Sequence, residues 1–172
     1  MIEKSTIQWL LSFFFEHPSQ EFHLRELSRI LGLSMPTIVA ATDTLSKERF
    51  ILKTKGKVLT MVQANRESND FVRYKRVHNL EQIYASGIVD YLSKAYRRPR
   101  ALILFGSFSR GEDIEGSDID IAVFTGKKQN LDLAKYERTL KRGIHIHQID
   151  PANVSKEFKA NLANGIVLEG SW

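Results

Sequence analysis

The sequence predicts an α/β protein (α+β overall) in two parts: a small helical module carrying a hairpin, then a domain with a mixed sheet covered by helices. Three observations predict this. Residues 1–62 place apolar side chains at helical spacing three times and then turn to short β-type runs. The remainder reads helix, strand, strand, helix, strand, the order of an α/β domain. The charge also divides. Residues 1–66 hold nine Lys/Arg against six Asp/Glu, residues 67–100 seven against four, and residues 101–172 nine against ten. These divisions set a first domain at 1–64, a connecting segment at 65–78 and a second domain at 79–172.

Each element has its own warrant. Residues 4–15 carry Ile7, Leu10, Leu11, Phe14 and Phe15 on one face, and Pro18-Ser19 ends that helix. Residues 22–31 group Phe22, Leu24, Leu27, Ile30 and Leu31, with Gly32 as a stop. Ser34 caps a third helix and Pro36 is tolerated in its first turn. Ile38, Val39, Ala41, Thr42 and Leu45 line its inner side. Only Gly32 and Leu33 separate these two helices, the short connection of a helix-turn-helix. Ile51–Thr54 and Val58–Met61, joined by Lys55-Gly56-Lys57, form a hairpin. Residues 65–77 are polar and basic and connect the domains, partly as helix. A helix over 79–96 follows, weakened at Gly87 by about 1 kcal/mol and closed by Pro99. Ala101–Phe105 is a buried-type strand, and Asp118–Phe124 alternates polar and apolar residues. A helix over 130–141 is released by Gly143 into the alternating strand Ile144–Ile149. A short helix over 153–163 and a small strand Ile166–Leu168 complete the pattern.

The 172 residues include no cysteine, which excludes disulfide scaffolds, thiolate zinc sites, cysteine nucleophiles and cysteine-ligated clusters. A net charge of +5 favours an anionic partner. The apolar stretch Ile7–Phe15 falls far short of the roughly 20 residues of a spanning helix and is followed by no cleavage-type sequence. A cytoplasmic protein with no membrane partner is therefore expected, and the sequon Asn153-Val154-Ser155 is read as chance.

The basic module suits nucleic acid. A recognition helix enters the major groove, and the candidates on the third helix are Ser34, Thr37 and Thr44, with Lys47 and Arg49 at its end. Lys53, Lys55 and Lys57 at the hairpin tip place three cations on a flexible turn, where a phosphate backbone would meet them. Helix-turn-helix modules also serve as interfaces between subunits. Residues 1–62 resemble a winged helix-turn-helix of archaeal and bacterial regulators. That resemblance implies a DNA-reading third helix, a backbone-touching wing and a homodimer.

The sharpest stretch is Leu102-Ile-Leu-Phe-Gly106-Ser107-Phe-Ser-Arg110-Gly111, followed by Ser117-Asp118-Ile119-Asp120-Ile121. Glycine allows close approach of backbone to ligand, Ser107 offers a hydroxyl, and exposed N–H groups at such a turn suit phosphate. Asp118 and Asp120, two apart on a strand, face one side while Ile119 and Ile121 enter the core. Paired hard oxygen donors suit Mg²⁺ shared with substrate phosphates, as in phosphoryl or nucleotidyl transfer. A Walker A loop is excluded because Glu112, not Lys, follows Gly111. A dinucleotide fingerprint fails because Gly111 leads into acidic turn residues. A calcium loop fails at Ile121 and Ala122.

This segment resembles the minimal nucleotidyltransferases of the DNA polymerase β superfamily, whose motif is Gly-Ser, a gap, then Asp-x-Asp. The resemblance covers residues 79–150. It implies that Gly106 and Ser107 hold the β and γ phosphates of an NTP, and that Asp118 and Asp120 hold Mg²⁺ (or Mn²⁺). Arg110 and Ser117 also match positions common in that family. With the closing segment at 164–168, the whole chain looks like archaeal nucleotidyltransferase-domain proteins. Some relatives are antitoxins to HEPN-domain toxins, so such a toxin joins DNA and nucleotide among the partners the resemblance implies.

One position departs from the family pattern. The strand after the next helix carries a third carboxylate in the family and here reads Ile144-His145-Ile146-His147-Gln148-Ile149. His145 falls nearest that place, with His147 on the same face. Histidine can act as a base but suits Mn²⁺ or Zn²⁺ better than Mg²⁺. The expected function is therefore nucleoside monophosphate transfer, with Asp118, Asp120 and His145 as catalytic candidates. The alternative is a catalytically degenerate DNA-binding regulator or antitoxin whose second domain binds nucleotide or a partner.

Overall fold

A computed structural model describes residues 5–56, 58–150 and 156–171, together with the side chains of all these except Lys156 and Glu157. Lys57, the sequon Asn153-Val154-Ser155 and the expected start of the last helix lie outside the described residues. The chain forms two compact units, residues 1–75 and 76–172.

In the first unit, α1 (Thr6–Glu16) opens on a capping box. Ser5 Oγ accepts from the Gln8 N–H while Gln8 Oε1 accepts from the Ser5 N–H, satisfying two donors that a helix start leaves open. β1 (Glu21–His23) replaces the expected start of the second helix and pairs antiparallel with β3 (Thr60–Ala64). Helix α2 (Leu24–Leu31) begins later because His23 Nδ1 accepts from the Glu26 N–H at 3.1 Å. Phe22 is still buried, but from a strand, opposite Val62. Gly32 takes a left-handed φ of +64° and ends α2. α3 (Met35–Lys47) follows directly, capped by Ser34 with Pro36 in its first turn.

β2 (Ile51–Lys55) and β3 pair antiparallel, Ile51 opposite Ala64 and Lys55 opposite Thr60. The sheet order is β1-β3-β2. The second hairpin strand therefore starts two residues later than its apolar run suggests. Val58 is 91% exposed, whereas Val62 and Ala64 face the core. Leu10, Phe14, Leu27, Ile38, Leu45, Ile51, Val62 and Phe71 form that core. Burying each such side chain contributes about 1.5–3 kcal/mol. Val39, expected on the inner side of α3, is exposed.

The expected connecting segment is mostly helix. α4 (Asn69–Ser86) runs through the boundary between the units. Gly87 then stops it outright, with φ +77°, and α5 (Ile88–Ala95) starts afresh. The pattern over 79–96 predicts one continuous helix. The left-handed backbone at Gly87, which side chains resist by 1–2 kcal/mol or so, explains the break.

The second unit is a four-stranded sheet in the order β6-β5-β4-β7. β4 (Ala101–Phe105) lies antiparallel to both β5 (Ile119–Phe124) and β7 (Ile166–Gly170), and β5 lies parallel to β6 (Ile144–Ile149). α6 (Gly106–Arg110), which the sequence did not signal, joins β4 to the loop before β5. α7 is shorter than predicted, Ala134–Leu140, because Asp132 Oδ1 accepts from the Ala134 N–H and starts it late. α8 spans Lys156–Ala163. Both faces of the sheet are covered. Leu102, Leu104, Ile119, Ile121 and Val123 pack with Ile83, Ile88 and Leu92, while Ala101, Ile103, Phe105, Ala122 and Phe124 pack with Leu162 and Phe158. Among the described residues no helix is long and apolar enough to cross a membrane.

Candidate active site

The alternation of β5 decides where its carboxylates go. Ile119, Ile121 and Val123 enter one core, so Asp120 lies on the opposite face with Ala122 and Phe124. Asp118 stands immediately before the strand, held there by the Ile119 N–H donating to Gly143 O at 2.9 Å. Their side chains are 46% and 29% exposed, so both carboxylates are reachable from solvent.

β6 brings its two histidines to the same place. The parallel register sets His145 opposite Asp120 and His147 opposite Ala122. Each ring leans back by one pleat. His147 Nε2 lies 2.9 Å from Asp120 Oδ1, and His145 Nε2 lies 3.8 Å from Asp118 Oδ2. The His147 ring also packs edge-on against Phe105 at 5.0 Å and beside Phe158 at 6.1 Å. The sequence favoured His145 over His147, yet His147 makes the hydrogen bond.

A glycine stands against each carboxylate. At Gly106 an added Cβ would lie 2.7 Å from Asp120 Oδ2. At Gly143 it would collide with Asp118 Oδ1. Gly106 also has φ +76°, which residues with a Cβ adopt at a cost. Gly106→Ala is expected to destabilise the protein by about 1–2 kcal/mol and to push Asp120 off its position. Thermal unfolding reads the first effect and metal titration the second. Unchanged metal affinity would show that Asp120 tolerates the shift.

The other loop residues divide. Ser107 Oγ makes no hydrogen bond among the described residues and stays available, whereas its carbonyl accepts from the Glu112 N–H. Arg110 Nε pairs with Glu112 at 2.7 Å on the surface. Ser117 Oγ accepts from the Ile114 N–H at 3.0 Å and so builds the turn. A buried network missed by the sequence reading supports this loop. Asn79 Nδ2 donates to Phe108 O at 2.9 Å and to Asp113 Oδ1 at 2.7 Å. Arg142 faces Asp113 Oδ2 at 3.3 Å and also donates to Ile114 O.

The donor set fits a divalent cation. Two carboxylates on one face supply hard oxygens, and imidazole nitrogens beside them are donors that Mn²⁺ accepts more readily than Mg²⁺. Among the described residues no group of three or more His, Asp or Glu side chains converges to enclose an ion. The protein donors are few, as in sites completed by water and substrate phosphate.

The candidates for nucleic-acid contact lie in the first unit. Ser34 Oγ and Thr37 Oγ1 are hydrogen-bonded to each other at 2.7 Å, and Thr44 Oγ1 donates to Ala40 O at 3.0 Å. Lys47 and Lys55 are exposed. Lys53 is not on the hairpin turn. It lies within β2, with its side chain 9% exposed, and its ammonium donates to Thr42 Oγ1 at 3.0 Å and Asp43 Oδ1 at 2.7 Å. The strand register turns it onto α3, so its charge is already matched. Lys57 is outside the described residues.

A family model described as polymerase beta, nucleotidyltransferase, matches residues 86–171. No curated protein matched the sequence. The matched span contains Gly106, Ser107, Asp118, Asp120 and both histidines of β6.

Proposed function

Because the chain belongs to the polymerase beta nucleotidyltransferase family, we propose that it transfers a nucleoside monophosphate from an NTP to an acceptor hydroxyl. The observation that carries this reading is the placement of Asp120 against Gly106 of the loop and of Asp118, two residues earlier, against Gly143. Asp118 and Asp120 would hold Mg²⁺ or Mn²⁺, which when bound neutralises charge on the triphosphate. Gly106 lets the Asp120 carboxylate lie against the loop backbone, and the Ser107 hydroxyl is available to bond a phosphate. His145, 3.8 Å from Asp118 Oδ2 and exposed to solvent, would serve as the base that takes the acceptor proton. Arg110 acts on a phosphate only after leaving Glu112.

The first unit fits a winged helix, with α3 presented to DNA or RNA and Lys47 and Lys55 meeting the backbone. Its order of three helices and a β2–β3 hairpin supports this. A second reading, a regulator that binds nucleotide without turnover, draws on one observation: β6 carries two histidines and no carboxylate. One experiment separates the two. The protein is incubated with each NTP, Mg²⁺ or Mn²⁺, and single- or double-stranded DNA or RNA, and pyrophosphate is measured. Release of pyrophosphate supports transfer. Saturable NTP binding without release supports the regulator, and absence of both sinks the two readings together.

A further inference from the structure

We infer that His147 is a positioning residue for Asp120, selecting which carboxylate oxygen is offered to a cation. The inference rests on the metal-binding part of the reading above. An ionised carboxylate only accepts hydrogen bonds, so at 2.9 Å the proton lies on His147 Nε2, which donates to Asp120 Oδ1. The other oxygen, Oδ2, is the one nearest Gly106 and so faces the phosphate loop. The two oxygens of one side chain thus have different neighbours: one is bonded to β6, the other lies against Gly106 of the loop.

The ring is itself held. Phe105 of β4 packs against it edge-on at 5.0 Å, Phe158 of α8 lies 6.1 Å away, and the two phenyl rings touch each other at 5.5 Å. An imidazole fixed by packing makes a fixed donor. Asp120 therefore meets a cation already oriented, as hydrogen-bonded carboxylate ligands at metal sites do. His145 differs. Its ring is more exposed and stands 3.8 Å from Asp118 Oδ2, beyond hydrogen-bond range. The two histidines of one strand face consequently divide the work: His147 orders a ligand, and His145 stays open to solvent and acceptor.

The test is Mn²⁺ titration of the full chain followed by electron paramagnetic resonance, with and without a non-hydrolysable ATP analogue. Wild type is compared with His147→Phe, which keeps a ring but no donor, and His147→Gln, which keeps an N–H donor. Thermal unfolding confirms that each variant folds. His147→Phe is expected to weaken Mn²⁺ binding by about 10–100-fold, and His147→Gln to recover most of that loss. Equal losses in both variants would overturn the role assigned to the donor. So would a ¹⁴N coupling on bound Mn²⁺ that disappears in His147→Phe, because the ring would then be a ligand. Binding unchanged in His147→Phe overturns this inference alone. Absence of Mn²⁺ binding in wild type overturns it together with the metal-binding reading.

Discussion

Asp118→Asn combined with Asp120→Asn is expected to abolish metal-dependent binding of ATP and to lower any nucleotidyl transfer by at least about 100-fold. The change is nearly isosteric and removes two negative charges. The fold has little reason to respond. The carboxamide oxygen introduced by Asp120→Asn can still accept from His147 Nε2, the neighbouring ion pair at Arg110–Glu112 is untouched, and neither carboxylate belongs to an apolar core. The cation, in contrast, loses both hard anionic donors at once. Calorimetric titration of ATP with Mn²⁺ and then Mg²⁺ reads the first effect and pyrophosphate release the second. Equal ATP affinity in wild type and double variant would place nucleotide binding elsewhere, and equal release would remove these residues from the chemistry.

Arg142→Ala is expected to carry the largest cost to stability, about 3–5 kcal/mol. The Asp113 side chain is fully buried and that of Arg142 is 9% exposed. Truncating Arg142 leaves the carboxylate in the interior without the guanidinium facing it. It also removes one of the two donors to Ile114 O, which keeps the Ser117 N–H. Asn79 continues to donate to Asp113 Oδ1, so a neutral Asp113→Asn in the same chain should restore part of the loss. Urea unfolding of the single and double variants measures both steps. A single-variant loss below about 1 kcal/mol, the range of a surface pair, would show that the loop rearranges to let water reach Asp113.

The sequence made the carboxylate pair legible because its signal is local: the alternation over 118–124 predicts a shared face for Asp118 and Asp120, although β5 itself begins at Ile119. The same local logic placed Ser34 as a cap and Gly32 as a stop. It failed wherever the deciding partner was distant. Choosing between His145 and His147 needs the register of β6 on β5, which no residue within β6 encodes. The Asn79, Asp113 and Arg142 network joins three segments with no shared pattern. Lys53 looked like a free cation because its partners, Thr42 and Asp43, are on another element. β1 is three residues long, too short for alternation to register, and Phe22 fits a helical face equally well. At Gly87 the composition is unfavourable for helix, but only a positive φ turns a weakness into a break.

The position of β4 bears on how the second unit assembles. All five of its residues are buried, and its neighbours β5 and β7 stand on either side. β5 is close in sequence, but β7 pairs Leu104 with Ile166 and Ala101 with Gly170. That pairing closes a long loop, so its entropy must be met before the contact forms, which slows folding. Until β7 docks, β4 is an edge strand made only of apolar residues, Ala-Leu-Ile-Leu-Phe, beside the sequence that builds the site. Such an edge pairs readily with other chains. β7, which bears none of the candidate site residues, therefore guards the unit against self-association during folding.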